Sequence, residues 1–268
     1  MPGNKPLKIF ISYAHEDRTL MLKLVSHFST LVRRREIEVW QDGEITGGQE
    51  RDAEIKEKLD VADIAILLVS SDFTNSEYIC DVEVPRIYKR EKLDTKFRII
   101  PILMRPCDYE DNIAKKGMWP KNHLNDIVPA VSKTWDTVDE PYHNVVEELK
   151  RVIIELKVIA QQQDIIVWKN LIDSFKNGTK ITGTVIRKTP GRIIVDYGGL
   201  DTFLPDSQID IRPIIHYDQY INRVMEFKVI MIKESIKSAV VSRKALLENE
   251  LEEKRAQILS SLEKGQVL

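Results

Sequence analysis

The sequence is short of several things, and each shortage excludes something. It has two cysteines, Cys80 and Cys107, in 268 residues, too few for a disulfide framework. No apolar run approaches the roughly 20 residues that span a bilayer, and the opening MPGNKPLKIF has no apolar core of the signal-peptide kind. These absences set the expectation of a cytoplasmic protein with reduced thiols and no membrane contact. Charge of one sign is missing too, since the formal net charge is −2. The residues before Ile165 sum to about −5 and the rest to about +3, an asymmetry too small to mark nucleic-acid binding by itself. Neither GxGxxG nor GxxxxGKS/T occurs, so the glycines at 43, 47 and 48 do not form a phosphate cradle. His, Cys and carboxylate residues show no metal-ligand spacing, and neither a metal nor a cofactor is expected.

What is present is ordinary globular material, 43% hydrophobic and 31% charged, with length enough for two cores. Leu7 to Tyr13 (LKIFISY) reads as a first strand. Asp17 to about Arg35 reads as a helix with Leu20, Leu24, Phe28 and Leu31 on one face. A second strand, Glu36 to Trp40, leads into a glycine-containing loop and a helix from about Gln49 to Leu59. Ile64 to Val69 is a continuous apolar run of the kind buried on both faces of a parallel sheet, and Arg98 to Met104 is a fourth strand. Strand and helix alternate, which is the pattern of a helix-covered parallel sheet. In such sheets ligands bind beyond the carboxyl ends of the strands. That makes Ser70 and Ser71, directly after Val69, candidates for ligand contact, although both also suit a helix cap. Glu83 follows at the start of an amphipathic stretch.

Glu140 and Pro141 open a longer helix whose apolar face is Val145, Val146, Leu149, Val152, Ile153 and Leu156. The triplet Gln161 to Gln163 breaks this pattern, and a domain boundary is placed near it. After Trp168 come five short alternating segments: Lys180 to Arg187, Arg192 to Tyr197, Asp201 to Leu204, Glu226 to Lys233 and Ser238 to Ser242. Five strands in so short a stretch suit a small closed barrel of the oligonucleotide-binding (OB) class. A charged helix, Ala245 to Glu263, ends the series. The expected division is 1–157 for the α/β domain, 158–174 for a helical linker, 175–247 for the barrel and 248–268 for the charged helix and tail.

With KIFISYAHED, then Asp42, Ile45 and Gly48 in the pattern DxxIxxG, then ADIAILLVSSDF and SEYICDVE in order, residues 5 to about 157 resemble a Toll/interleukin-1 receptor (TIR) domain, most closely the bacterial type. The resemblance implies a flavodoxin-like fold with a five-stranded parallel sheet, its fifth strand at Ser132 to Asp136. TIR domains either scaffold assemblies with other TIR domains or cleave NAD+ between nicotinamide and ribose. In the enzymes a glutamate soon after the third strand does the chemistry, and Glu83 takes that place. Family spacing sets the acid four residues past an aromatic, whereas Glu83 lies five past Tyr78, so Asp81 is a rival. One carboxylate is enough, because nicotinamide leaves readily and the carboxylate stabilises the oxocarbenium-like ribose left behind. The resemblance further makes Ser12, Tyr13, Trp40, Asp42, Glu44, Ser70, Ser71 and Tyr78 substrate contacts. Tyr13 and Trp40 would wall the nicotinamide or simply edge the core. Asp42 and Glu44 would lie in a loop that covers the site or docks a neighbouring TIR domain.

From Trp168 onward, TKITGTVIRK, VDYGG, FLPDSQ, FKVI and VVSRKALLE resemble the S1 RNA-binding repeat of ribosomal protein S1. The resemblance implies a five-stranded OB-type barrel that stacks single-stranded bases, with Phe203, Arg187, Lys188, Arg192 and Arg243 as contacts. Strong RNA-binding repeats carry a stacking phenylalanine and a histidine where this chain has Ile194 and Pro205. That makes docking to a protein or the ribosome an alternative to RNA binding. The closing LEKGQVL is similar to the opening of a further repeat.

The combined expectation is an NAD+ hydrolase, with possible formation of cyclic ADP-ribose, acting in prokaryotic defence or stress signalling. NAD+ is the substrate, TIR domains self-associate, and the barrel contacts RNA or the ribosome. The alternative is a non-enzymatic TIR scaffold held on RNA or a ribosome by the barrel. The barrel segment offers no catalytic constellation for RNA processing.

Overall fold

The structure is a computed structural model and describes residues 5–41, 49–109, 113, 117–211 and 217–261. The chain divides into two compact units, Met1–Ile159 and Ala160–Leu268.

In the first unit, β1 (Leu7–Tyr13), β2 (Ile37–Gln41), β3 (Ile64–Val69) and β4 (Arg98–Leu103) form one sheet in the order β2-β1-β3-β4. Every neighbouring pair is parallel. All six residues of β3 are buried, as a continuous branched-aliphatic strand covered on both faces must be. Because side chains alternate along a strand, β1 feeds two cores. Ile9, Ile11 and Tyr13 join Ile64, Ile66 and Leu68 on one face. Their partners there include Met21 and Leu24 of α1 (Arg18–His27) and Val145, Leu149 and Ile153 of the long helix near the end of the unit. Phe10 joins Ala65, Leu67 and Val69 on the other face. That face is covered by α3 (Gln49–Val61), α4 (Ser71–Asn75) and α5 (Val84–Leu93), through Ile55, Leu59, Phe73, Val84 and Ile87.

Two expectations need correction. The helix expected over Asp17 to Arg35 is divided into a short 3-10 turn, His15–Asp17, then α1, then α2 (Ser29–Arg33). The fifth strand expected at Ser132 to Asp136 is a series of turns, so the described residues hold a four-stranded sheet. Local side-chain bonds take the backbone there: Thr134 N–H donates to Ser132 Oγ at 3.2 Å, and Asp136 N–H to Glu140 Oε2 at 2.8 Å. Such bonds compete with a strand ladder. The outer edge of β4 is satisfied instead by Trp119, which bridges Ile102, and then by Ala130 N–H donating to Leu103 O at 2.8 Å.

The helix opened by Glu140 runs as α6 to Asn177, 38 residues, through Gln161, Gln162 and Gln163. Glutamine is a good helix former, so the triplet interrupts the apolar stripe without ending the helix. Residues up to Leu156 join the first core, and Trp168 and Leu171 join the core of the second unit.

The second unit is a closed barrel of β5 (Lys180–Thr189), β6 (Arg192–Tyr197), β7 (Leu200–Pro205), β8 (Val224–Lys233) and β9 (Ser238–Ser242), in the order β5-β6-β7-β9-β8. Ile181, Val185, Ile193, Val195, Leu204, Phe227 and Val241 fill it. Gly198 and Gly199, with φ of 60° and 95°, make the two-residue turn between β6 and β7, the left-handed geometry a tight hairpin requires. Helix α7 (Lys244–Ser261) follows, its first turn held by Ser242 Oγ accepting from Ala245 N–H at 2.9 Å.

Candidate functional site

Ser12 lies near the carboxyl end of β1 and, by alternation, on the face of Phe10. The segment that crosses this face leads from α4 into α5 and contains one widened turn, Ile79–Glu83. Val84 N–H donates to Ile79 O, five residues back instead of four. Pro85 follows at once. A proline inside a helix brings no N–H, and its ring collides with the carbonyl four residues earlier, here that of Asp81. A widened turn relieves that collision and accommodates one extra residue. Tyr78 directly precedes this turn and Glu83 closes it. A turn that closes after five residues brings the fifth residue to the face that the fourth occupies in an α-turn. Glu83 is therefore turned inward, 3% exposed, while Asp81 is exposed. The geometry separates the two acids that the spacing left as rivals.

Ser12 is fully buried, and its hydroxyl donates to Glu83 Oε2 at 2.5 Å. Trp40 is opposite Phe10 in the register and so shares this face. It is half-buried, its indole N–H donates to Glu38 Oε1 at 3.0 Å, and Lys8 Nζ lies 5.1 Å from its ring. Tyr13 is 5% exposed and belongs to the other core, so the sheet stands between it and Glu83. Tyr78 is exposed at the start of the widened turn. Asp42 and Glu44 lie outside the described residues, as does the closing LEKGQVL.

Ser70 is a helix cap in this fold, its Oγ accepting from Phe73 N–H at 3.1 Å at the start of α4. Its proton goes to Asp17 Oδ2 in a short hydrogen bond. Ser71 is exposed, the first residue of α4. Asp17, 1% exposed, is the centre of a network that the sequence reading missed. Arg105 Nε donates to Asp17 Oδ1 at 2.9 Å, and the same guanidinium pairs with Asp72. The hydrogen bond to Asp72 holds Arg105 further above its already high range, with Asp17 adding to it. The signal was there to read: Asp17 and Arg105 each follow a strand end, where polar side chains converge in a parallel sheet. Cys80 sits in the widened turn, its thiol donating to Thr74 O at 3.4 Å. Burial first, and Asp81 second, push that thiol above its usual value, which makes it a poor nucleophile. Among the described residues no cluster of His, Cys, Asp and Glu is placed to hold a metal ion, and no helix is long and apolar enough to cross a membrane.

In the barrel, the expected contact residues are joined by aromatic partners. Phe203 is half-buried, with the Arg192 guanidinium 4.5 Å from its ring centroid. Lys188 Nζ lies 3.4 Å from the ring of Tyr217. Arg243 lies 5.9 Å from the ring of Tyr220 and 3.4 Å from Asp210. Arg187 is exposed, 3.9 Å from Asp201. Tyr217 and Tyr220 escaped the sequence reading, although YDQY between two strands marks a place where aromatics lie on a loop. Ile194 is 4% exposed and offers no surface to a base.

Comparison with known proteins agrees with this division. Residues 9–127 match the family model of the TIR domain, and residues 174–244 match that of the S1 RNA binding domain. The small ribosomal subunit protein bS1 of Chlamydia muridarum is 36% identical over 120 residues, covering 45% of this chain and 20% of that protein. A protein designated y4lF from Sinorhizobium fredii is 32% identical over 145 residues, 53% of this chain and 42% of that protein. The chain thus spans about a fifth of the length of the first of these relatives and under half of the second. Among solved structures, the TIR domain of the Toll-related receptor TRR-2 of Hydra magnipapillata is 26% identical, covering 41% of this chain and 82% of that chain, with a TM-score of 0.30.

Proposed function

From the premise that this chain carries a TIR domain followed by an S1 domain, we propose that the first unit cleaves NAD+ between nicotinamide and ribose and that the second docks the protein on single-stranded RNA or the ribosome. The observation that carries the catalytic reading is Glu83, turned inward at the carboxyl end of the sheet while Asp81 faces solvent. In the reaction the glycosidic electron pair passes to the nicotinamide nitrogen, neutralising the ring. Positive character is left on the ribose, where the Glu83 carboxylate opposes it. Water then adds at the anomeric carbon and loses a proton, giving ADP-ribose; closure within the molecule gives cyclic ADP-ribose. Trp40 shares the face on which this would take place. NAD+ is substrate and no cofactor is required. Self-association of TIR domains and a role in prokaryotic defence or stress signalling complete the proposal.

Release of nicotinamide from NAD+ by the full chain, with and without RNA or ribosomes, tests it. Loss of that release in Glu83→Gln supports the assignment, and equal release by wild type and variant removes it. A second reading, a scaffold without catalysis, draws on the same burial: at 3% exposure and bonded to Ser12, Glu83 also fits an acid that fastens a helix to the sheet. Absence of nicotinamide release under every condition favours the scaffold.

A further inference from the structure

The catalytic reading leaves Ser12 among the substrate contacts, and the geometry points elsewhere. We propose that Ser12 is a positioning residue which acts through Glu83, its hydroxyl aiming the carboxylate and keeping it ionised. This rests on the catalytic reading of Glu83 and refines it.

Three observations carry it. Ser12 is 0% exposed and so offers a ligand no surface of its own. A serine hydroxyl has one proton to give, and here it is given to Glu83 Oε2 at 2.5 Å. The two ends of the bond are anchored independently. Ser12 is paired with Leu67 in the central ladder of the sheet. Glu83 closes the widened turn whose Val84 N–H bonds to Ile79 O, just before Pro85. Both anchors are backbone-bonded elements, so the bond bears on where Glu83 Oε2 sits. A hydrogen bond donated to the charged form also favours that form, whereas burial without a donor disfavours it. A carboxylate that opposes positive charge on a ribose must be ionised when the bond breaks. The serine therefore acts on the rate step and leaves NAD+ binding alone.

The test is nicotinamide release by the full chain carrying Ser12→Ala, Ser12→Cys or Ser12→Thr, followed across pH. Cysteine keeps the shape with only a weak donor, and threonine keeps the hydroxyl. The expected result is a fall in kcat of about ten- to a hundredfold for the alanine and cysteine variants, with KM held within about twofold. The acid limb of the kcat profile moves to higher pH in both, and the threonine variant recovers rate and profile. Beside this, the Glu83 carboxyl carbon is titrated by NMR in wild type and in Ser12→Ala, and its midpoint is expected to rise in the variant. If Ser12→Ala does not fold, Ser12→Cys answers in its place. A higher KM at unchanged kcat overturns the proposal, because Ser12 then touches substrate. An acid limb and a carboxyl midpoint that both stay in place overturn it too, leaving Ser12 a structural residue. Wild type that releases no nicotinamide defeats the catalytic reading instead. The carboxyl titration then decides alone whether Ser12 holds Glu83 ionised.

Discussion

The two units place polar groups in opposite ways. In the α/β unit, Ser12, Asp17, Ser70 and Glu83 are each 3% exposed or less and bonded to side chains far away in sequence. In the barrel, the groups read as functional lie toward the surface, where cations rest on aromatic rings: Arg192 on Phe203, Lys188 on Tyr217, Arg243 on Tyr220. A buried acid is costly unless every bond is made, and in return its geometry is fixed. A surface cation on a ring is held by a weak attraction that another ring or a phosphate can replace. The first arrangement suits chemistry on one bond, and the second suits tolerant docking. The contrast predicts that single changes in the α/β unit act all or none, while changes in the barrel act by degrees.

The largest effect that would break this contrast is expected from Glu83→Gln, which keeps the shape and removes the charge. Nicotinamide release should fall about a thousandfold with an unchanged circular dichroism spectrum; a modest fall would show that the buried acid is not special. Next comes Asp17→Ala, which leaves Arg105 and Ser70 without their buried partner. A loss of about 2 kcal/mol in urea unfolding of the α/β unit is expected, from the unmet Ser70 hydroxyl and the lost charge-assisted bonds, since Arg105 is a third exposed and keeps Asp72. In the barrel, Phe203→Ala and Tyr217→Ala should each weaken binding of single-stranded RNA by about 1–2 kcal/mol without destroying it, as read by fluorescence anisotropy. Affinity that ignores salt, or that is absent in wild type, would mark a docking barrel for protein instead. The smallest effect belongs to Asp139, an exposed carboxylate held below its ordinary 3.8 first by its hydrogen bond to Lys23. A lowered folded-state value means that the stabilisation is present above the ordinary value and lost as pH falls through the lowered one. The melting difference between Lys23→Ala and wild type should therefore be larger near neutral pH than in strong acid, where only the Lys23 contacts with Val138 O and the Tyr142 ring remain.

Strands that are continuous and apolar were legible from sequence. LKIFISY and IAILLV are strands with the expected ends, because burial on both faces leaves a mark that no loop imitates. The barrel was legible for a related reason, since alternating residues between turn formers repeat five times. Ser132 to Asp136 misled because its residues suit an edge strand, while their side-chain oxygens capture the backbone locally. The Asp17–Arg105 pair was legible only as two polar residues at strand ends, because they are 88 positions apart and their pairing needs the folded sheet. The sequence marked Glu83 as the candidate acid and Ser12 as a substrate contact. Their bond was not legible, because it depends on a helix turn whose width no count of residues announces.

That turn has a consequence for how such acids are found. A residue inserted into a regular helix rotates everything after it by more than a quarter of a revolution, which would carry a reactive group out of its cleft. The widened turn Ile79–Glu83 holds one residue more than an α-turn, room in which such an extra residue leaves the faces of the following helix unchanged. It works as a suppressor of a frameshift written in three dimensions. A search that counts positions from a landmark residue passes over Glu83, and a search that asks which carboxylate faces the sheet finds it.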